Sequence, residues 1–467
     1  MVAREADRSV PRYSLIRGVF FTSKELFPNA ALKKLILPLV IEQVLAITVG
    51  LADTMMVSSV GEAAVSGVSL VDMLNVLIIN IFSALATGGA VVVAQLLGAR
   101  KNDRACDASK QLYLVVTVIA LIISALVMLF RAPLLRLLFG TIEDDVMQSA
   151  LTYLTVSVFS YPVLAIYNAG AALFRSMSNS RVSMMTSIAM NLVNISGNAI
   201  LIYVFNMGVA GAGLASLVSR ILGAVVMMVL LRNRHNLIFI GHLFRYRFDW
   251  PMVRSILHIG VPNGLENGMF QVGKVLVSSL IAVFGTSAIT ANAIANNLAQ
   301  FECIPGSAMG LAMITVIGRC VGAKDYKQAR YYAKRLMIIT YISMTAICIL
   351  LSALIVPIVK LYHPSQETFD LAVWLGLYHG ACGILIWPAS FALPNILRAA
   401  NDVRFTMTVS IISMWLCRIL FSYVLALWCG LGLKGVWIAM TMDWVVRAAL
   451  FIWRYFSGKW ETKQLLS

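Results

Sequence analysis

The sequence predicts an all-α integral membrane protein with twelve transmembrane helices in two pseudo-symmetric six-helix bundles. Three observations carry that prediction. The 467 residues are 60% hydrophobic and only 12% charged, with a mean hydropathy of +0.84, about half the charged fraction of an average soluble domain. Apolar runs of the about 20 residues needed to cross a bilayer recur twelve times along the chain. The second half also repeats the first: Pro38, Glu42, Gly61 and Ala64 return as Pro262, Glu266, Gly285 and Ala288, an offset of 224. Gly98, Ala99 and Arg100 return at the same offset as Gly322, Ala323 and Lys324, and Gly208 and Gly211 as Gly432 and Gly435. A one-residue shift midway pairs Arg175 and Arg181 with Arg398 and Arg404.

Residues 1–32 carry Arg4, Glu5, Asp7, Arg8, Arg12, Arg17, Lys24 and Glu25, too much charge for a signal peptide. They read as a cytosolic N-terminal arm, amphipathic through Leu15, Val19, Phe20 and Phe21. Apolar runs near 33–57, 68–97, 111–131, 149–174, 183–205 and 212–231 form an amino-lobe bundle over 33–231. The longest non-apolar stretch is 232–249, so 232–252 reads as a cytoplasmic linker. Runs near 253–284, 288–318, 336–359, 370–397, 405–428 and 435–453 form a carboxyl-lobe bundle over 253–455, and 456–467 remain as a cytosolic tail.

Lys and Arg fill one set of loops: Arg100, Lys101, Arg104 and Lys110, then Arg175 and Arg181, then Arg232, Arg234, Arg245 and Arg247, then Lys324, Lys327, Arg330, Lys334 and Arg335. The alternate loops at 58–64, 206–211 and 284–287 hold none. By the positive-inside rule both termini are cytoplasmic, in a multi-pass protein of the cell (inner) membrane. An even number of spans per half makes the repeat parallel, about an axis along the membrane normal. The net charge of +16 then reflects attraction to an anionic leaflet, not to nucleic acid. The seven cysteines lack CxxC spacing and read as buried small hydrophobes.

A charge at the bilayer centre costs about 2.5–3.5 kcal/mol on insertion scales, so each acid in a span needs a reason. Glu42 and Asp53 lie eleven residues apart, three helical turns plus about 20°, so the first span presents a carboxylate stripe suited to handling a proton or cation. The fifth span carries Asn191, Asn194 and Asn198 on one face; amide oxygens there can coordinate a monovalent cation or accept from a protonated acid. The seventh span holds Glu266 and Lys274, and the eighth an amide stripe of Asn292, Asn296 and Gln300 with Glu302 close by. Lys274 matches Gly50, so the halves differ chemically. Asp72, Arg220, Arg418, Asp443 and Arg447 read as structural or interfacial. Pro38 and Pro262 mark matched places where a span can bend, and the linker at 232–249 is the natural pivot between halves. No HExxH, GxSxG or Walker A motif occurs, so the chain reads as neither an enzyme nor a cofactor protein, and any pumping is secondary. The 23 methionines, Met55, Met56, Met73, Met184, Met185, Met190, Met309 and Met313 among them, suggest a large, partly apolar, cationic or zwitterionic ligand.

These residues resemble a known family. Gly50-Leu51-Ala52-Asp53-Thr54-Met55-Met56-Val57 with Gly61 and Ala64 to Gly67 resembles the first-span signature of multidrug and toxic compound extrusion (MATE) transporters. Gly98-Ala99-Arg100, the Arg175 to Asn179 turn, Asn194 to Asn198, Pro305-Gly306 with Gly310, and Leu397 to Asp402 fit the same family, over about residues 33–455. The resemblance implies two six-helix bundles around a V-shaped cavity, exporting amphipathic organic compounds, drugs or a metabolite, in exchange for H+ or Na+. It places Asp53, Asn168, Asn194 and Asn198 in the amino-lobe cation site, with Glu42 on the same span and Na+ held at Asp53, Asn194 and Asn198. Glu266 then resembles the carboxyl-lobe acid, and Lys274, Asn292, Asn296 and Gln300, on the residue reading above, line the substrate cavity or take part in coupling. Asn198 stands where some members have aspartate, and Trp387 lies near the place of a tenth-span aspartate used elsewhere in the family. The partners implied are a small organic substrate and the bilayer, with the chain a monomer. The competing reading is a lipid-linked precursor flippase of similar architecture.

Overall fold

The computed structural model describes residues 25–140, 143–241 and 248–463. The amphipathic stretch at 15–21, and Arg245 and Arg247 of the linker, lie outside the described residues. The amino half is built from α1 (Asn29–Ser58), α2 (Glu62–Gly98), α3 (Asn102–Leu129), α4 (Asp144–Ser176), α5 (Ser180–Asn198, continued by a wide turn Ala199–Val204) and α6 (Gly208–Leu230). The carboxyl half follows as α7 (Trp250–Ala282), α8 (Thr286–Glu302, broken at Cys303, then Ile304–Gly322), α9 (Tyr326–Ala353), α10 (Gln366–Leu385, running through Pro388–Ala392 into Leu393–Ala399), α11 (Val403–Ser413, continued to Trp428) and α12 (Gly432–Phe456). Short helices Arg131–Phe139 and Ile355–Lys360 follow α3 and α9.

Eleven of these are long and apolar enough to cross a membrane by composition alone. The twelfth is α7, whose 33 residues carry Arg254, His258, Asn263, Glu266, Asn267, Gln271 and Lys274; such a span crosses lipid only with its polar side turned to protein or water.

The repeat holds at the level of backbone dihedrals. Gly61 and Gly285, Arg100 and Lys324, Asn206 and Gly430, and Gly208 and Gly432 all have positive φ, and each pair is separated by the repeat offset. These are the residues that reverse the chain between spans, where only a left-handed residue lets the next helix start antiparallel. The one-residue shift is also visible: Ser178 and Asn401, both left-handed, fall one position short of that offset. The missing residue is restored within α11, whose Met414–Leu420 and Val424–Trp428 stretches are wide π-type turns against the single one in α5. A π turn is how a helix absorbs one inserted residue.

Three segments differ from the sequence reading. α1 begins at Asn29, inside the stretch read as an arm, because Phe27 and Leu32 pack into the core and the Phe27 N–H donates to the Tyr332 hydroxyl at 3.0 Å. The described part of the linker, up to residue 241, is docked: Ile238 and Ile240 are buried and the Ile240 N–H donates to the Leu231 carbonyl at 2.8 Å. In the tail, Trp460 is 1% exposed and stacks on Tyr455 at 5.6 Å. The burial of these apolar side chains, about 1.5–3 kcal/mol each, outweighs the charge around them.

Two apolar cores form, one per lobe, yet each lobe's first helix starts against the other's core. Leu32, Leu35 and Leu39 of α1 join the carboxyl-lobe core, and Met252, Ile256 and Ile259 of α7 join the amino-lobe core. The lobes meet closely where α2 and α8 end. A Cβ on Gly98 would lie 2.0 Å from the Arg319 carbonyl oxygen, and one on Gly322 would lie 1.9 Å from that of Gln95. Gln95 Nε2 donates to the Ala399 carbonyl at 2.8 Å and to Asn401 Oδ1 at 2.9 Å. Symmetrically, Arg319 donates to the Ser176 carbonyl from Nε at 3.0 Å and Nη2 at 2.8 Å. All of these contacts lie at the end of the bundle that carries the 98–102 and 322–326 turns.

Candidate functional site

Polar clusters occupy the opposite half of each lobe. In the amino lobe Asp53 sits five residues before the end of α1, half-buried, and Asn198 sits at the end of the α5 helix, fully buried. Asn198 Nδ2 donates to Asp53 Oδ1 at 2.6 Å and to Asn194 Oδ1 at 3.4 Å, while Asn194 Nδ2 donates to Ser216 Oγ on α6 at 3.1 Å. An ionised carboxylate only accepts, so Asn198 must turn its amide nitrogen toward Asp53. Its amide oxygen is consequently buried with no hydrogen-bond partner. A second chain runs alongside: Tyr161 donates to Asn75 at 2.8 Å, Asn75 donates to Asp72 at 3.1 Å, and Arg220 donates to Ser160. Asp72 and Arg220, read from the sequence as structural, both act electrostatically on Asp53.

Asn168 stands apart from that chain. It lies on α4 seven residues from both Tyr161 and Arg175, and its Nδ2 is buried without a partner. Asn191 donates weakly to the Leu45 carbonyl, at 3.4 Å.

Glu42 lies elsewhere on the same helix. Eleven residues of helix separate it from Asp53, about 16 Å of rise. Its carboxylate accepts from Arg175 at 3.2 Å and from Ser183 Oγ at 2.8 Å. Glu266 does the same in the other lobe, accepting from Arg398 Nη2 with both oxygens at 2.7 Å and from Arg447 at 3.2 Å. Glu42 with Arg175 and Glu266 with Arg398 are therefore the same ion pair, drawn twice by the repeat. The signal is present in the sequence: an acid and an arginine both recur at the repeat spacing, and opposite charges retained together inside a membrane imply a pair.

Lys274, Asn292, Asn296 and Gln300 line one cavity of about 510 Å³ inside the carboxyl lobe. Its walls are Phe270, Trp387, Phe391, Trp437 and Trp444, and Arg418 projects into it. Asn292 Oδ1 accepts from Trp437 Nε1 at 3.0 Å, and Glu302, which follows the amide stripe on the same helix, is bonded to His379 at the cavity wall. Glu266 lines a separate cavity of about 160 Å³ with Arg398 and Arg447. Phe270 and Phe391 border both cavities and meet edge to face at 6.4 Å, so they form the partition. None of the methionines singled out from the sequence is among the residues lining the larger cavity; Met55, Met73 and Met185 are exposed on the outer surface and Met309 and Met313 are core.

The MatE family model matches residues 38–200 and again residues 262–424, two segments displaced by the offset of the internal repeat. The uncharacterized transporter YisQ of Bacillus subtilis is 28% identical over 455 residues, covering 94% of this chain and 98% of that protein. The probable multidrug resistance protein NorM of Thermotoga maritima is 25% identical over 471 residues, covering 98% of each. Among solved structures, a MATE protein crystallised in the straight conformation superposes with a TM-score of 0.86 at 18% identity, covering 93% of this chain and 96% of that one. The fold is the same.

Proposed function

The chain belongs to the MatE family of multi-pass membrane transporters, and on that footing we propose that it is a secondary antiporter exporting amphipathic organic compounds in exchange for H+ or Na+. The observation that supports coupling is the Asp53–Asn198–Asn194 chain and its one unsatisfied oxygen. Leaving a buried acceptor unpaired costs about 1–3 kcal/mol. A flip of the Asn198 amide would turn that oxygen toward Asp53, where a sodium ion between them or a proton on Asp53 would relieve the cost. Both ions would claim one carboxylate, so binding one excludes the other, which is what exchange requires.

The Lys- and Arg-rich loops assign the face where the lobes meet to the cytoplasm. The conformation described then has its cytoplasmic side closed and its polar clusters in the outer half. Both clusters are built within one chain, so a monomer suffices.

The test is efflux of ethidium from the full chain in liposomes, driven by a pH gradient alone and by a Na+ gradient alone. One of the two gradients should drive efflux, and Asp53→Asn should abolish the driven component. Undiminished driven efflux by Asp53→Asn would remove Asp53 from the coupling step.

A further inference from the structure

The two polar clusters sit at repeat-equivalent positions, yet their charges are opposite. At the repeat offset Asp53 corresponds to Val277, Asp72 to Asn296, Asn194 to Arg418 and Gly50 to Lys274. Each of these changes removes a negative charge or adds a positive one, while Arg220 gives way at the same offset to Trp444. Where the amino lobe gathers two carboxylates, the carboxyl lobe lines its cavity of about 510 Å³ with Lys274 and Arg418 and with no carboxylate among the lining residues.

Two of the three acids packed around that cavity are already engaged. Glu302 is held by His379 and Glu266 is shared by Arg398 and Arg447, while Asp443, 3.9 Å from Arg447 and with both oxygens free of hydrogen bonds, offsets part of the charge on Arg418. Lys274 and Arg418 make no ion pair within 4.0 Å among the described residues. Arg418 Nε is buried without a hydrogen-bond partner. Both cations stand over the ring of Phe270, each 5.1 Å from its centroid, and so lie no more than twice that distance apart. Aromatic faces ease the desolvation of a cation without neutralising it. Two positive charges without a direct ion-pair partner, in an aromatic pocket of drug-like size, define a complementary ligand.

We propose that the carboxyl-lobe cavity binds an amphipathic organic anion, its carboxylate, sulfonate or phosphate bridging Lys274 and Arg418 and its apolar body against Trp387, Phe391, Trp437 and Trp444. This reverses the cationic ligand that the sequence alone suggested, and it rests on the transport reading above. The asymmetry divides the work between the lobes, so that the amino lobe holds the coupling cation and the carboxyl lobe holds the cargo. Anionic headgroups of lipids and free organic acids present the same chemistry to these two cations.

Fluorescein, an aromatic anion, and ethidium, an aromatic cation, are the probes, each titrated by anisotropy against the full chain in phosphatidylcholine nanodiscs. Fluorescein should bind the more tightly, and Lys274→Gln or Arg418→Gln should each weaken it by about tenfold or more. Ethidium binding should be unchanged or improved. Lys274→Arg and Arg418→Lys keep the charge and should keep most of the affinity, which separates loss of charge from loss of fold; thermal melting of every variant checks the latter. Fluorescein displaced when phosphatidylglycerol is added to the nanodiscs assigns the anion site to a lipid headgroup, and fluorescein retained assigns it to a free organic acid. Absent fluorescein binding, or binding indifferent to the Gln substitutions, overturns the proposal. Ion-driven transport of ethidium without fluorescein binding overturns it while leaving the antiport reading standing.

Discussion

Glu42 and Glu266 occupy one position in two copies of a unit and differ in what surrounds them. Glu266 is buried and accepts from two guanidiniums, Arg398 and Arg447. Glu42 accepts from one guanidinium and one hydroxyl with 13% of its side chain exposed. Truncating Glu266 strands two buried cations, at a cost of about 3–5 kcal/mol; truncating Glu42 strands one partly hydrated cation, about 1–3 kcal/mol. Glu266→Ala should therefore lower the thermal midpoint in detergent by clearly more than Glu42→Ala, and equal losses would show that Arg447 is not held by Glu266. Asn198→Asp is the converse test at the amino-lobe site. It places a second carboxylate 2.6 Å from the first, at the position of the present hydrogen bond, and like charges so close are tolerable only with a cation or proton between them. The Na+ concentration for half-maximal driven efflux should fall, and no change would argue that the site takes only protons. At this scale the sequence is legible wherever a charge sits alone in an apolar run. Asp53, Lys274 and the amide stripe stand out that way. Arg418 does not, because its meaning depends on Phe270, four spans earlier in the chain.

The spans themselves are readable from hydropathy, and their ends are not. α2 begins at Glu62 and α9 at Tyr326, well before their apolar runs, because helical hydrogen bonding continues through polar residues once they leave lipid. The break at Cys303 follows from Pro305 in the first turn of the next helix segment, while Pro38 and Pro262 remain inside unbroken helices. The wide turns of α11 are foreshadowed by the single-residue shift in the repeat, although which turn takes the extra residue is set by packing. Among elements the tightest fit is between the ends of α2 and α8. Glycine is required there for space: a Cβ at Gly98 or Gly322 would collide with backbone of the opposite lobe at 2.0 or 1.9 Å. Gly98→Ala or Gly322→Ala should then disfavour the conformation closed on this face without disturbing either core. Labelling a cysteine at Ser180, near that face, with a membrane-impermeant thiol reagent should be faster in both variants, provided the native cysteines are removed. Unchanged labelling would mean that the ends can shift past a methyl group.

For the molecule as a whole, the contacts that unite the lobes are concentrated on one face and are themselves duplicated. Gln95 reaches the Ala399 carbonyl and its repeat equivalent Arg319 reaches the Ser176 carbonyl; the two acceptors are matched at the same shifted spacing as the two arginines before them. Each carbonyl directly follows an arginine tied to a first-span acid, Arg175 to Glu42 and Arg398 to Glu266. The latch and the ion pairs thus form one assembly, crossing from α1 through α4 to α8 and back by the equivalent route. Because the halves are parallel, one motion opens both sides of this assembly together, and it need not disturb the Asp53 chain or the aromatic cavity, which lie toward the other end. Ile238 and Ile240 dock on the amino-lobe core, so the first part of the linker moves with that lobe, and the opening is read at the lobe interface itself. Cysteines at positions 95 and 401, whose native side chains hydrogen bond at 2.9 Å, joined by a short bismaleimide in a chain stripped of its own cysteines, should lock the latch. Driven efflux should be lost, while probe binding from the opposite face stays measurable in the locked protein. Efflux that survived the cross-link would exclude opening at this face and leave only bending at Pro38 and Pro262, in which case Pro38→Ala with Pro262→Ala should abolish it instead.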